Sequence, residues 1–136
     1  MRFPKSFVLV MLTVGVFFAC NSIAQRPANL SVNDFEKGIQ QKNIQVLDVR
    51  TPGEYQTGHL KNALLADWMS QEEFAKKVGS LDKSKPVYTY CQIGGRSSKA
   101  ATLLKEKGYT VYNLDGGIAA WKQAGKPVEG AGKSNK

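Results

Sequence analysis

The segment VYTYCQIGGRSSKAATLLKEKG, residues 87–108, places a strand, a tight loop and a helix directly after one another. Its first four residues are β-branched or aromatic and follow Pro86, so they predict a buried strand. Apolar residues at 100, 101, 103 and 104 predict a helix that Gly108 ends. Only the six residues from Cys91 to Arg96 separate the two elements. A strand that leads through a short loop into a helix indicates an α/β fold.

The rest of the chain repeats this alternation after a short polar lead-in at 26–30. Ser31 begins a predicted helix over 32–40, and a β-branched run predicts a strand over 44–49. The remaining predicted elements are a brief helix around Glu54, a short apolar segment at 63–66, a helix over 71–78, a strand over 111–114 and a last short helix after Gly116. Short connections between such elements predict a parallel sheet with helices on both faces.

The length and composition restrict the kind of site that this fold can carry. A chain of 136 residues with 42% hydrophobic residues can form one soluble domain. Two cysteines and one histidine are too few for a disulfide-rich scaffold or for the four ligands of a structural zinc site. We therefore expect no metal and no cofactor.

The first 24 residues are predicted to be an export signal. Arg2 and Lys5 precede a 13-residue apolar run, 7–19, and small and polar residues follow. The run is too short to span a bilayer, which takes about 20 apolar residues. Cleavage before Gln25 would release a soluble periplasmic protein, which is the interpretation that we favour. The alternative is a lipoprotein signal that ends at residue 19 and leaves a lipid anchor on Cys20.

The loop after the strand is suited to a negatively charged sulfur. Gly94 and Gly95 allow the backbone angles of a cradle in which successive N–H groups point inward. A helix that begins near Ser97 contributes the positive end of its dipole, and Arg96 contributes a permanent charge. Both effects lower the pKa of a cysteine thiol, which is about 8.5 in a free side chain. Cys91 is thus predicted to be a thiolate nucleophile that needs no histidine base.

Three motifs resemble the rhodanese (thiosulfate sulfurtransferase) family, in particular its single-domain members. They are LDVRTPGEYQTGHLKNA at 47–63, YCQIGGRSSKAA at 90–101 and LDGGIAAW at 114–121, and the similarity extends from about residue 30 to 128. The resemblance implies a single rhodanese-like domain over 28–128, with a mainly parallel five-stranded sheet and helices on both faces. The Gly- and Lys-rich composition of the end of the chain predicts a flexible basic tail over 129–136.

The resemblance also implies the reaction and the residues that carry it out. Cys91 would take a sulfane sulfur from a donor, hold it as a persulfide and pass it to a thiol or another nucleophile. The loop that binds the transferred sulfur would consist of Gln92, Ile93, Gly94, Gly95, Arg96 and Ser97. Supporting roles in the structure are expected for Asp48, Arg50, Glu54 and His59. Members of the family that prefer thiosulfate often carry charged residues next to the cysteine. Gln92 and Ile93 carry no charge, so the resemblance implies a persulfide or a protein donor as readily as thiosulfate.

Two other functions are compatible with the motifs. The first is a cysteine-dependent phosphatase on a related fold. Such phosphatases place five residues between the cysteine and the arginine, whereas four separate Cys91 from Arg96, which favours a single sulfur atom over a phosphoryl group. The second is a rhodanese-like module that binds a partner or senses anions without catalysis.

The formal charge of +8 does not indicate nucleic-acid binding. The lysines are scattered over predicted helix surfaces and the tail, acidic residues lie among them, and no basic stripe with interleaved aromatic residues appears. The expected partners are a small sulfur donor and a thiol or other nucleophilic acceptor, either of which could be a protein. We expect a monomer.

Overall fold

A computed structural model describes residues 27–130 of the chain. Five strands form one sheet in the order β1-β5-β4-β2-β3, and all four strand pairs are parallel. The strands are β1 (Ala28–Leu30), β2 (Gln45–Asp48), β3 (Ala63–Leu65), β4 (Val87–Tyr90) and β5 (Val111–Leu114). The prediction of an α/β fold with a five-stranded parallel sheet is confirmed.

Five helices connect the strands, and several begin where the sequence places a capping residue. They are α1 (Val32–Ile39), α2 (Pro52–Gln56), α3 (Gln71–Gly79), α4 (Gly95–Glu106) and α5 (Gly117–Gln123). The Ser31 side chain accepts a hydrogen bond from the Asp34 amide at the start of α1. Thr51 and Glu54 form a reciprocal capping box at the start of α2, which fixes the direction in which this short helix leaves β2.

The two faces of the sheet pack against different helices because successive residues of a strand point to opposite faces. On one face Leu47 and Val87 pack with Phe74 of α3 and Leu104 of α4. On the other face lies a second cluster, which includes Phe35 of α1 and Trp121 of α5 together with Val46, Tyr88, Tyr90 and Leu114. Cys91 belongs to the first cluster, so its side chain lies on the side of α3 and α4.

Most predicted bounds agree with the structure to within one residue, and three features differ by more than that. The lead-in contains β1, which pairs with β5. The side-chain amide of Asn113 in β5 donates a hydrogen bond to the side-chain oxygen of Asn29 in β1. Helix α4 begins at Gly95 rather than near Ser97, so the loop proper is only four residues long. Glu129, which was assigned to the tail, exchanges two backbone hydrogen bonds with His59.

The predicted signal at 1–24, including Cys20, and the tail from residue 131 lie outside the described residues. Between residues 27 and 130, no helix is long and apolar enough to cross a membrane.

Candidate active site

The candidate site lies where β2 and β4, the neighbouring central strands, end. Asp48 and Tyr90 are directly paired across the two strands, and the amide of Val49 donates to the carbonyl of Tyr90. Cys91 is the next residue along β4, so it emerges at the carboxyl edge of the sheet. This is the edge at which parallel α/β sheets bind ligands.

Two hydrogen-bond donors contact the Cys91 sulfur, one from the loop and one from helix α4. Gly94 has a φ of +104°, and this left-handed backbone turns its amide toward the sulfur at 3.1 Å. The Ser97 hydroxyl donates to the same sulfur at 3.3 Å from the first turn of α4. Only 1% of Cys91 is exposed, so these donors stand in for water around the sulfur.

The pKa of the Cys91 thiol lies below its ordinary value because two opposing effects do not cancel. Burial is the largest single influence and raises the pKa, since it disfavours the charged thiolate. The Ser97 hydroxyl and the amides of Ser97, Gly94 and Ile93 stabilise the thiolate, and together they outweigh burial. The stabilisation of the thiolate thus comes from hydrogen bonds of the loop and of Ser97, and the Arg96 charge that the sequence analysis invoked is not among its main causes.

Helix α5 fixes the outward side of the loop, which sequence reasoning did not foresee. The amide of Ile118 donates to the carbonyl of Cys91 at 2.9 Å, and the amide of Ala119 donates to the carbonyl of Gln92 at 3.0 Å. Gly117 has a φ of +63°, and a Cβ there would lie 2.6 Å from the Cys91 carbonyl oxygen and 2.5 Å from that of Gln92. The two glycines that open α5 were the available signal, because only glycine permits this close approach.

Arg96 and Glu54 form an ion pair beside the loop. The two terminal guanidinium nitrogens of Arg96 donate to the two carboxylate oxygens of Glu54 at 2.8 and 2.7 Å. The Arg96 hydrogen bond is the main cause that lowers the pKa of Glu54 to about 2. The structure thus brings Glu54, expected to be structural, into contact with the arginine of the site.

Asp48 and Arg50 form a second ion pair, which is completely buried beneath the edge of the sheet. An Nη atom of Arg50 donates to Asp48 at 2.7 Å and to the carbonyl of Gly58 at 2.7 Å. The guanidinium carbon lies 5.6 Å from the centre of the Tyr90 ring. The pair joins the end of β2 to the loop after α2.

His59 lies among supporting contacts. Its ring stacks on Tyr55 with centroids 3.9 Å apart, and Nδ1 lies 3.0 Å from the carbonyl oxygen of Leu60. Its backbone forms the antiparallel bridge to Glu129. None of these contacts involves the loop after β4.

The other predicted loop residues have different surroundings. Gly95 is the first residue of α4, whereas Ile93 is 73% exposed. Gln92 is half-buried, and its carbonyl is bound by α5. In the described part of the chain, no group of three or more His, Cys, Asp or Glu side chains could hold a metal ion.

Comparison with known proteins places this geometry in a family. The family model described as a rhodanese-like domain matches residues 31–124. Thiosulfate sulfurtransferase GlpE of Shewanella oneidensis is 34% identical over 97 residues, which cover 71% of this chain and 93% of that protein. The polysulfide-sulfur transferase homodimer of Wolinella succinogenes is similar in structure, with a TM-score of 0.67, 30% identity and coverage of 82% of this chain and 84% of that chain.

A further group of relatives is named for a different reaction. The tRNA uridine(34) hydroxylase of Cytophaga hutchinsonii is 37% identical over 107 residues, which cover 75% of this chain and 34% of that protein. This chain thus spans about a third of the length of such relatives. The family match and the sulfurtransferase relative support a sulfurtransferase-type function. On this evidence the chain belongs to the rhodanese family.

Proposed function

We propose that this protein is an exported sulfurtransferase in which Cys91 carries the transferred sulfur as a persulfide. The observation that carries the proposal is the pair of hydrogen bonds to the Cys91 sulfur, from the Gly94 amide and the Ser97 hydroxyl. Donors fixed around a sulfur stabilise negative charge on it, both in the thiolate and in a persulfide formed from it.

The proposed reaction has two steps. In the first, the Cys91 thiolate attacks the sulfane sulfur of a donor, and a new sulfur–sulfur bond forms as the donor's own bond breaks. The donor remnant leaves with the electron pair, as sulfite from thiosulfate or as a thiolate from an organic persulfide. In the second, a thiol or another nucleophile attacks the outer sulfur, and the electron pair of the broken bond returns to Cys91. The cycle needs no external oxidant.

Export is part of the proposal and rests on the order of charges and apolar residues at 1–24. Cys91 is the free cysteine of the described residues, and it is buried. Its location beneath the loop would limit contact with large oxidants in an oxidising compartment, where a reactive thiol is otherwise readily lost.

Intact mass measurement tests the proposed chemistry. The chain with Cys20→Ser has Cys91 as its single cysteine, and incubation with thiosulfate or an organic persulfide should add the mass of one sulfur atom. The matched control, Cys20→Ser with Cys91→Ser, should gain nothing. Addition of a thiol acceptor should then return the first protein to its starting mass.

Two results would contradict the proposal. One is a protein that gains no sulfur from any donor. If that protein also binds a partner, and Cys91→Ser leaves this binding unchanged, it is a non-catalytic module. The other is burst release of product from an aryl phosphate at Cys91, which would identify a phosphatase.

A further inference from the structure

The positive charge of Arg96 is paired with the carboxylate of Glu54. Both terminal nitrogens of the guanidinium are bound to the Glu54 carboxylate, and the two side chains are only 27% and 31% exposed. Glu54 is fixed in place because one of its oxygens also accepts hydrogen bonds from the amide and the hydroxyl of Thr51, both at 3.0 Å. A partly buried pair of this kind is screened by salt less than a surface pair.

Arg96 is nevertheless close enough to affect the reactive sulfur. It occupies the first turn of α4, immediately after the loop around Cys91. Glu54 is the main group that raises the pKa of Arg96. The negative Cys91 sulfur also raises this pKa, by a smaller amount. Arg96 therefore contributes an attractive field at the sulfur, and the Glu54 carboxylate subtracts from it.

Two further carboxylates follow strands at the carboxyl edge. Asp67 and Asp115 follow β3 and β5 at this edge, and neither has a salt-bridge partner between residues 27 and 130. The nearby cation on α4 is the exposed Lys99. The tip of the loop is the exposed, uncharged Ile93.

We propose that Glu54 determines which donors load Cys91, by favouring sulfane-sulfur donors of low charge over the dianion thiosulfate. This inference rests on the proposed function and names the substrate class of the same site. The favoured reaction is attack of the Cys91 thiolate on the outer sulfur of a monoanionic organic persulfide, R–S–S⁻. The donor's sulfur–sulfur bond breaks, R–S⁻ leaves with the electron pair, and the persulfide of Cys91 keeps the single negative charge.

The experiment compares loading of Cys91 by thiosulfate and by the persulfide of 2-mercaptoethanol, in the wild type and in Glu54→Gln. Glutamine also serves at this position of a capping box, so α2 keeps its cap while Arg96 loses its counter-charge. The ratio of the thiosulfate rate to the persulfide rate should rise by about tenfold, a typical effect of an uncovered charge on attraction of an anion. The thiosulfate rate of the variant should also fall more steeply with added salt than that of the wild type.

Two further variants make the result specific. Glu36→Gln removes the carboxylate that pairs with Lys126, away from the loop, and should leave the ratio unchanged. Arg96→Gln leaves the Glu54 carboxylate without its partner and should lower the ratio. Because the two site variants shift the ratio in opposite directions, general loss of folding cannot imitate the expected result.

The possible failures are distinguishable. A wild type that loads from the organic persulfide, with a ratio that Glu54→Gln leaves unchanged or lowers, would overturn this inference and leave the proposed function intact. If Glu54→Gln does not fold, an Arg96→Gln variant whose ratio fails to fall overturns the inference in the same way. A wild type that neither donor loads would overturn the proposed function, and this inference with it.

Discussion

The Cys91 sulfur is stabilised by Ser97, a side chain of helix α4, which follows the Cys91 loop. Ser97 is fully buried, and its hydroxyl donates to the sulfur and lies 3.2 Å from the carbonyl of Gly94. The single hydroxyl proton can be donated to the sulfur, which stabilises the thiolate, or to the Gly94 carbonyl, which holds the turn that presents the Gly94 amide. Ser97 therefore connects the chemistry of one atom to the geometry of the loop.

Substitution Ser97→Ala should raise the pKa of the Cys91 thiol. The hydrogen bond to the charged form is lost while burial, which opposes ionisation, remains. The rate of alkylation by iodoacetamide follows the thiolate fraction, so its midpoint should move to higher pH than in the wild type. The matched control is Ser98→Ala, because the neighbouring Ser98 is exposed and the hydrogen bonds to the sulfur within residues 27–130 come from Gly94 and Ser97. An alkylation profile of Ser97→Ala that overlays the wild type would contradict this role.

At the scale of elements, the site depends on the meeting of β4, α4 and α5. Helix α4 follows the strand and supplies Ser97 and Arg96, whereas α5 arrives from the other face and binds the carbonyls of the loop. When the carbonyls of Cys91 and Gln92 are bound outward, the amides of the following residues remain free to point toward the sulfur. The loop is thus shaped by contacts on both of its sides.

Substitution Gly117→Ala should therefore damage the loop as well as the fold. The added methyl group would meet the Cys91 and Gln92 carbonyls, and the left-handed backbone adds strain of about 1–3 kcal/mol. We expect a loss of unfolding free energy in urea and slower alkylation of Cys91. Gly125→Ala is the control that separates backbone strain from the clash with the loop carbonyls. Gly125 also has a positive φ, +72°, but a Cβ there would meet nothing within 4 Å. Equal effects of the two substitutions on Cys91 would refute the anchoring role of α5.

The elements that the sequence predicted well are those that carry their own signal. β4 and β5 were predicted with their observed bounds because each is a short apolar run with a clear stop. β1 was missed because it has only three residues, of which Ala28 and Asn29 are exposed, and pairing with β5 makes them a strand. The early start of α4 was missed because glycine is a weak helix former, so Gly95 gave no signal of a helical turn.

The candidate site was predictable from sequence only where its residues are neighbours along the chain. Cys91 and its loop are contiguous in sequence, so the residue types alone indicated a stabilised thiolate. The partnership of Arg96 with Glu54 joins residues 42 positions apart, and the bonds from α5 to the loop also cross between elements. Contacts of this kind depend on how the helices pack on the sheet, which hydrophobic patterns do not specify.

At the scale of the whole molecule, the proposal of export predicts a specific amino terminus. If residues 1–24 are a cleaved signal, protein recovered from its host should begin at Gln25, and Cys20→Ser should not alter where it is found. Intact mass and cell fractionation provide the measurement. A diacylated Cys20, with membrane association lost in Cys20→Ser, would show instead a lipid-anchored protein. A chain that retains Met1 would contradict export altogether.

The order of the sheet also affects when the chain can fold. β1 begins at residue 28, yet its one strand partner is β5, which ends at residue 114. The sheet therefore cannot be completed until nearly the whole domain has been synthesised, and its closure joins distant parts of the chain, a feature of slow folding. Under the proposal of export, such late completion of the sheet would give the chain time to be translocated before it folds.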